Sequence, residues 1–341
     1  MKALIYGSPY ATTEPELREV DRPEPGPGEV LVQVQAVALN HLDLLILDNK
    51  GDWPGVPDPL VLGTDGAGRV AAVGPGVAGW QAGDEVLFYP LLFCGECPHC
   101  LAGRQTLCES YKALGWHANG TFAEYVVLPA HNLVKKPAYL SAGEAAALPT
   151  ALSTAWNGLV TRGEIKPGQS VLIHGIGSGV SLMALQLAVA LGARAVVTSS
   201  SDEKLDRARA MGAYGTINYT RDDVAKATRE ILGGRADVVL DGVGGATIKA
   251  SLLAVAPTTG RVVLFGATSG MADVPLQYLF GKNVLPGGTG DFAEFRAALD
   301  FFANKGLKPV ISHTFAFDRF TDALAVTRAQ QQFGKVLLEM R

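Results

Sequence analysis

Residues 171–193 read VLIHGIGSGVSLMALQLAVALGA, and this stretch decides the fold of half the chain. A short apolar run ends at His174, a glycine-rich turn follows, and an apolar helical pattern begins at once, which is the order of a strand, tight turn and helix in a βαβ unit. Glycine lets backbone approach a pyrophosphate closely, and the helix N-terminus offers unpaired N–H groups and the positive end of the helix dipole. Gly175, Gly177, Ser178, Gly179 and Val180 are therefore candidate cofactor-binding residues, although Val180 stands where a third glycine falls when counting starts at Gly175. Further units follow in RAVVT (194–198), ADVVLDGVG (236–244) and RVVLFGA (261–267), with the amphipathic SDEKLDRARAMGA between the first two. Alternating strand and helix predicts an α/β fold with a doubly wound parallel sheet. Phe265, Gly266 and Ala267, at the end of one such strand, lie where a parallel sheet meets a nicotinamide.

Upstream the texture is different. VLVQVQAV (30–37) alternates as a half-buried strand does, behind the Pro/Gly connection of PEPGPGE, and predicts a β-rich domain. Downstream, FAEFRAALDFFANKG reads as an amphipathic helix closed by Gly306, and FGKVLLEM ends in a strand-like run. A chain of 341 residues has room for two domains. A hydrophobic content of 48% argues against disorder, and a formal net charge of -4 supplies no basic field for nucleic acid or an anionic membrane. The first twenty residues turn acidic rather than resembling a secretory signal, and no segment approaches about 18 consecutive apolar residues. The expected address is cytoplasmic.

All four cysteines fall in one window, as Cys94, Cys97, Cys100 and Cys108. Thiolates are good zinc donors, and three spaced by two residues with a fourth on a following turn close a tetrahedron. The four sulfurs leave no coordination position for a substrate, so one structural zinc is expected. Two local disulfides are the alternative, disfavoured in a reducing compartment, and His99 is a competing ligand that four sulfurs make unnecessary.

The strand RAVVTSSSDEKL bears on the cofactor, because an acidic group suits the ribose hydroxyls of NAD while hydroxyls and cations suit the 2′-phosphate of NADP. Ser199, Ser200, Ser201 and Lys204 favour NADP(H); Asp202, beside them, keeps NAD open.

Taken together, PEPGPGEVLVQV, NHLD (40–43), LVLGTDGAGRV (60–70), the cysteine lobe, GTFAEYVVLPA (120–130), GIGSGVS, SSSDEKL, INY and FGKVLL resemble, in order and spacing, the zinc-type alcohol dehydrogenase superfamily of medium-chain reductases, and within it the quinone oxidoreductase-like branch. The resemblance implies a GroES-like catalytic domain over 1–125 carrying the zinc lobe at 94–108, a Rossmann domain over 126–280, and a return to the catalytic domain over 281–341. It also implies a homodimer joined through the Rossmann sheets. The catalytic-zinc ligands of the alcohol dehydrogenases fall at Asn40, Thr64 and Thr150, and their proton-relay hydroxyl at Leu42; none of these residues suits that role. Asn40 and Asp43 match instead the NxxD pattern of quinone oxidoreductases, which work without catalytic zinc, and Lys204 and Tyr219 match the residues that those enzymes turn toward the 2′-phosphate. Packing at a strand end is the competing role for Tyr219.

The expected activity is hydride transfer to a quinone, enone or related small carbonyl compound. Asn40 is the candidate donor to the acceptor oxygen, with protonation from solvent, and Asp43 orients its loop. His41 either touches cofactor phosphates or caps a turn. Thr150 and Lys335 are assigned to the cofactor by the resemblance, with a solvated surface position as the competing reading of Lys335. Trp53 is a candidate pocket wall; Trp116 and His117 either line a cleft or support the zinc lobe. A zinc-dependent alcohol dehydrogenase and a non-catalytic, crystallin-type NADPH-binding protein are the two alternative functions.

Overall fold

The alternating EVLVQVQAVA run forms the central strand of a sheet. In the computed structural model, which describes residues 1–7, 14–48 and 55–340, strand Glu29–Ala38 buries its apolar positions and exposes Gln33. It pairs antiparallel with Asp65–Val73 and with Tyr125–Pro129, and at its far end with Lys335–Glu339. The sheet has seven strands, continuing through Glu85–Phe88 and Leu133–Lys135 on one side and Ile311–Ala316 on the other. Glycine is required where the backbones meet most closely: a Cβ on Gly68 would stand 2.0 Å from the Gln33 carbonyl oxygen.

The chain divides into two units, Met1–Thr150 with Asp291–Arg296 and Lys308–Arg341, and Ala151–Gly290 with Ala297–Leu307. The first unit therefore extends beyond the expected boundary at 125. The physical reason is strand pairing, because Tyr125–Pro129 and Leu133–Lys135 complete the sheet of this unit. The expected return at 281 also differs. Strand Asn283–Pro286 adds to the edge of the second unit's sheet by pairing with Arg261–Leu264, so the chain first re-enters the first unit at Asp291.

The second unit is a six-stranded sheet in the order Gly215–Asn218, Arg194–Ser199, Ser170–Ile173, Val238–Asp241, Arg261–Leu264, Asn283–Pro286, all parallel. Numbered along the chain, that order is 3-2-1-4-5-6, the dinucleotide-binding arrangement of a Rossmann sheet. Strand Ser170–Ile173 is buried throughout, as a central parallel strand requires. Helix Gly179–Ala190 starts directly after the glycine turn. Among the described residues, no helix is long and apolar enough to cross a membrane.

Candidate functional site

Strand register builds the polar centre of the first unit. Ala38, at the end of the central strand, lies opposite Asp65 on one neighbour and Leu337 on the other, two residues beyond Lys335. Asn40 follows at once in the chain. Three distant sequence segments thus meet, and their side chains bond: Lys335 Nζ donates to Asn40 Oδ1 at 2.7 Å and to Asp65 Oδ2 at 3.1 Å, and Asn40 Nδ2 donates to Asp65 Oδ2 at 3.0 Å. Thr150 donates to Asp65 Oδ1 with its backbone N–H at 2.9 Å and its hydroxyl at 2.7 Å. The Asp65 carboxylate, fully buried, therefore accepts four hydrogen bonds, which fills its lone-pair sites.

Of the two sequence readings of Lys335, the structure bears on the solvated one. Its side chain is 4% exposed and ion-paired to Asp65, which excludes a solvated surface lysine. Asp65 was not singled out in the sequence, because a single acid in GTDGAG carries no local signal; only its register opposite Ala38 gives it this place. Both donors of Thr150, assigned from sequence to the cofactor, are directed at the same carboxylate.

Asn40 precedes helix His41–Asp48, and the Asp43 carboxylate reaches back to accept from the Asn40 backbone N–H at 2.7 Å. That bond fixes the turn from which the Asn40 amide projects. Asp43 is buried, its Oδ1 has no hydrogen-bond partner, and burial pushes its acid up to about 7 from an ordinary value of 3.8, against the opposing pull of the Asn40 N–H and the Lys335 charge. The native carboxyl thus keeps its proton to higher pH than the unfolded one. The stability this contributes is present in full below about 4 and is lost as pH rises through about 7. Asp43→Asn, which retains an acceptor for Asn40, is expected to stabilise the protein by about 2 kcal/mol at pH 8 and to leave it unchanged at pH 4, read from denaturant midpoints. A gain of equal size at both pH values would contradict the burial cost. His41 is lowered by burial and then by the positive charge of Lys335, both of which disfavour its charged form. Thr64, beside Asp65, is buried with an unpartnered hydroxyl. Trp53 lies outside the described residues. Trp116 stacks on His117, with ring centroids 4.4 Å apart.

The cysteine lobe forms a second centre. Helix Pro98–Leu101 begins at Cys97, and the Cys97, Cys100 and Cys94 backbone N–H groups donate to the sulfurs of Cys94 at 3.3 Å, Cys97 at 3.5 Å and Cys108 at 3.4 Å. The four sulfurs lie within 4.8 Å of one another. Cys94 is 3.9 Å from Cys100 and 3.6 Å from Cys108, sulfur to sulfur, and all four thiols are free, an arrangement of separate thiols and not of the two-disulfide alternative. A tetrahedral ion with bonds of about 2.3 Å requires sulfurs about 3.8 Å apart, so the donor set fits zinc. Among the described residues, this is the one group of three or more His, Cys, Asp or Glu side chains close enough to share an ion.

In the second unit, Gly175 (φ +67°) and Gly177 (φ +132°) take backbone conformations that side chains resist, and Ser178 caps helix Gly179–Ala190 by accepting from the Ser181 N–H. At the end of the next strand Ser200 is exposed, Ser201 caps helix Asp202–Ala210 by accepting from the Lys204 N–H, and Lys204 is half-buried. Tyr219 is 51% exposed, more than a packing anchor at a strand end would be. Arg221, not singled out in the sequence, holds both oxygens of Asp202 at 2.8 Å, and Asn218 adds a third bond. These contacts hold the Asp202 acid down at about 2. Phe265, Gly266 and Ala267 follow strand Arg261–Leu264, and Gly266 and Ala267 are exposed.

Residues 26–138 match the alcohol dehydrogenase GroES-like domain and residues 179–304 match the zinc-binding dehydrogenase family. A zinc-type alcohol dehydrogenase-like protein of Schizosaccharomyces pombe is 37% identical, over 98% of this chain and 96% of its own. The chain belongs to the zinc-type alcohol dehydrogenase-like family of medium-chain dehydrogenases/reductases. This alcohol dehydrogenase-like chain is also 35% identical to an L-threonine 3-dehydrogenase of Pyrococcus horikoshii, over 96% of the chain and 95% of that protein. Among solved structures it is similar to one described as an NAD-dependent alcohol dehydrogenase, with a TM-score of 0.93 and 40% identity over 99% of both chains. A crotonyl-CoA carboxylase/reductase in complex with NADP gives a TM-score of 0.90 at 25% identity, covering 99% of this chain and 94% of that one. The alcohol dehydrogenase-like fold and an oxidoreductase activity follow for this chain.

Proposed function

We propose that this chain is an NADPH-dependent reductase of quinones, enones or related small carbonyl compounds, with no metal at the reacting centre and one structural zinc on Cys94, Cys97, Cys100 and Cys108. The observation that carries the proposal is the occupancy of the polar centre. Where the family resemblance places catalytic-zinc ligands, Asn40, Thr64 and Thr150 stand beside an Asp65 whose lone pairs are filled by Lys335, Asn40 and Thr150. Among the described residues no three His, Cys, Asp or Glu side chains at this centre lie close enough to share an ion, and Asp65 has no uncommitted carboxylate oxygen. The neighbour described as a crotonyl-CoA reductase with NADP is in keeping with alkene reduction. The relatives named alcohol dehydrogenases favour a second reading, alcohol oxidation at a second zinc.

For NADP(H), the fit lies in the second unit. The capped helix after the glycine turn suits a pyrophosphate, while Ser200, Ser201, Lys204 and Tyr219 suit a 2′-phosphate. Asp202, the acid that would serve a ribose hydroxyl, is already held by Arg221 and Asn218. A bound nicotinamide supplies the hydride. Lys204→Ala is expected to weaken NADPH binding tenfold or more, as loss of a charge-assisted phosphate contact implies, and NADH binding less than twofold. Equal losses, measured by cofactor fluorescence, would remove the reason for NADP.

A homodimer is also proposed. Strand Asn283–Pro286 is the edge of its sheet, and Met271 (98% exposed) and Phe280 (77%) leave apolar surface in the segment before it, a surface that a second copy would cover. Light scattering should give twice the 35.8 kDa chain mass; a single mass would exclude it. A cytoplasmic address goes with these proposals. The deciding experiment measures metal per chain together with NADPH and NADH oxidation on quinones, enones and aldehydes. One zinc and NADPH-dependent enone or quinone turnover support the proposal; two zincs with alcohol oxidation support the alternative.

A further inference from the structure

The six-stranded sheet of the second unit reverses its strand order between Ser170–Ile173 and Val238–Asp241, and the carboxyl ends of those two strands are where such a sheet opens a crevice for a dinucleotide. A buried polar chain crosses that point. His174 follows the first strand and is 3% exposed, Asp241 ends the second, and Ser251, on helix Ile248–Ala254, lies between them; Asp241 and Ser251 are fully buried. The Ser251 hydroxyl donates to Asp241 Oδ2 at 2.7 Å, and its oxygen is 3.0 Å from His174 Nε2. A hydroxyl has one hydrogen and a carboxylate has none to give, so the imidazole is the donor. The neutral ring therefore carries its proton on Nε2, and burial, which outweighs the Asp241 charge, disfavours a second proton.

Both ends of the chain lead to residues that the sequence assigns to the cofactor. His174 precedes Gly175, the first glycine of the turn, and its backbone N–H donates to the Leu240 carbonyl at 3.1 Å. At the other end, Asp241 Oδ1 accepts from the Val243 and Gly244 N–H groups, each at 3.0 Å, and from the Thr247 hydroxyl at 2.7 Å, which fixes the turn over 242–247. That turn packs against the segment after the next strand: Ser269 Oγ donates to the Val243 carbonyl at 2.7 Å and accepts from the Ala246 N–H at 2.8 Å, and a Cβ on Gly244 would stand 2.9 Å from Ala267 Cα. One continuous set of contacts thus joins the glycine turn to Ala267 within a single unit. Ser200, Ser201 and Lys204 lie outside it, held by bonds between Ser201 and Lys204 and from Asn218 to Ser200.

We propose that His174, acting through Ser251 and Asp241, is a positioning residue that sets the two turns flanking the crevice before a dinucleotide arrives, and so governs the hold on the nicotinamide half of the cofactor and not on the adenosine half. The proposal rests on the reading above that a nicotinamide dinucleotide binds this unit. Turns fixed in advance lose little freedom when the ligand comes, and that saving is what breaking the chain removes.

The test uses the full-length protein and compares NADPH with 2′,5′-ADP, which carries the adenosine and its 2′-phosphate but no nicotinamide. His174→Leu removes the donor at similar size and should weaken NADPH binding about tenfold or more, as loss of a buried hydrogen bond implies, with 2′,5′-ADP within about twofold of wild type. His174→Gln, whose amide nitrogen can stand where Nε2 does, should bring NADPH binding back to within about threefold. Ser251→Ala breaks the chain at its middle and should repeat the pattern of His174→Leu. In nitrogen NMR spectra of isotope-labelled wild-type protein, His174 should show Nε2 protonated and Nδ1 bare. The opposite tautomer overturns the proposal, as does unchanged NADPH binding in His174→Leu or Ser251→Ala, or no recovery in His174→Gln. A loss of 2′,5′-ADP binding that matches the loss of NADPH also overturns it, by making the chain a support of the whole unit. If wild type binds NADH and not NADPH, only the NADP reading fails, and NADH with ADP serves for the same comparison. If it binds neither, the cofactor reading fails and this proposal with it.

Discussion

Asp65→Ala is expected to lower the unfolding free energy by about 3–5 kcal/mol, the usual cost of removing one partner from a buried ion pair. The physical cause is the charge left behind. Lys335 keeps its buried ammonium with only the Asn40 carbonyl to meet it, and the Thr150 hydroxyl and backbone N–H lose their acceptor. Adding Lys335→Met should recover more than half of the loss, since no ion then remains to be solvated, and a double-mutant cycle in urea isolates the coupling. A single variant within 1 kcal/mol of wild type would mean that the pair is open to water and not the buried element described above.

Removal of metal from the cysteine lobe should have an effect of similar size, localised in one place. The lobe leaves Leu101 and Leu107 exposed; it is held by sulfur contacts, by Thr106, which gives its N–H and hydroxyl to Asp291 at 2.8 Å, and by Gln105, which accepts from the Phe292 N–H at 3.3 Å. With a structural ion bound, the four thiolates form one crosslink, and its loss leaves the lobe with the bonds of Thr106 and Gln105 to Asp291 and Phe292. Wild-type protein should carry about one zinc per chain, and Cys100→Ser less than about a tenth of that. Chelation or Cys100→Ser should raise the rate of tryptic cleavage after the exposed Arg104 about 100-fold, the change expected when about 3 kcal/mol of local ordering disappears. Unchanged protection of Arg104 without metal would show that the lobe holds its shape unaided. The chemistry of the first unit should be altered far less, because Asn40, Asp65, Thr150 and Lys335 are joined to one another by their own hydrogen bonds.

Features legible in the sequence share one property: they are local. A parallel strand, a glycine turn and a helix occupy 23 consecutive residues from Val171 to Ala193, and their periodicity and backbone requirements are written in that window. Four thiols within residues 94–108 make a cluster legible by spacing, and Ser200, Ser201 and Lys204, on which the NADP proposal draws, fall on one turn. Chain order and these windows determined the two folds and the cysteine lobe. Domain limits were less legible, since strands Tyr125–Pro129 and Asn283–Pro286 read alike in sequence and differ only in the sheet they join. The resemblance pointed to Asn40, Thr150 and Lys335, but Asp65 and the joining of all four into one polar centre were decided by tertiary structure. Lys335 and Asp65 are 270 residues apart, and a lysine in FGKVLL or an acid in GTDGAG has no property that distinguishes a solvated charge from a buried one. What distinguishes them is that both neighbouring strands pair with the end of Glu29–Ala38, so that two charges leave water at the same point and are stable there only together.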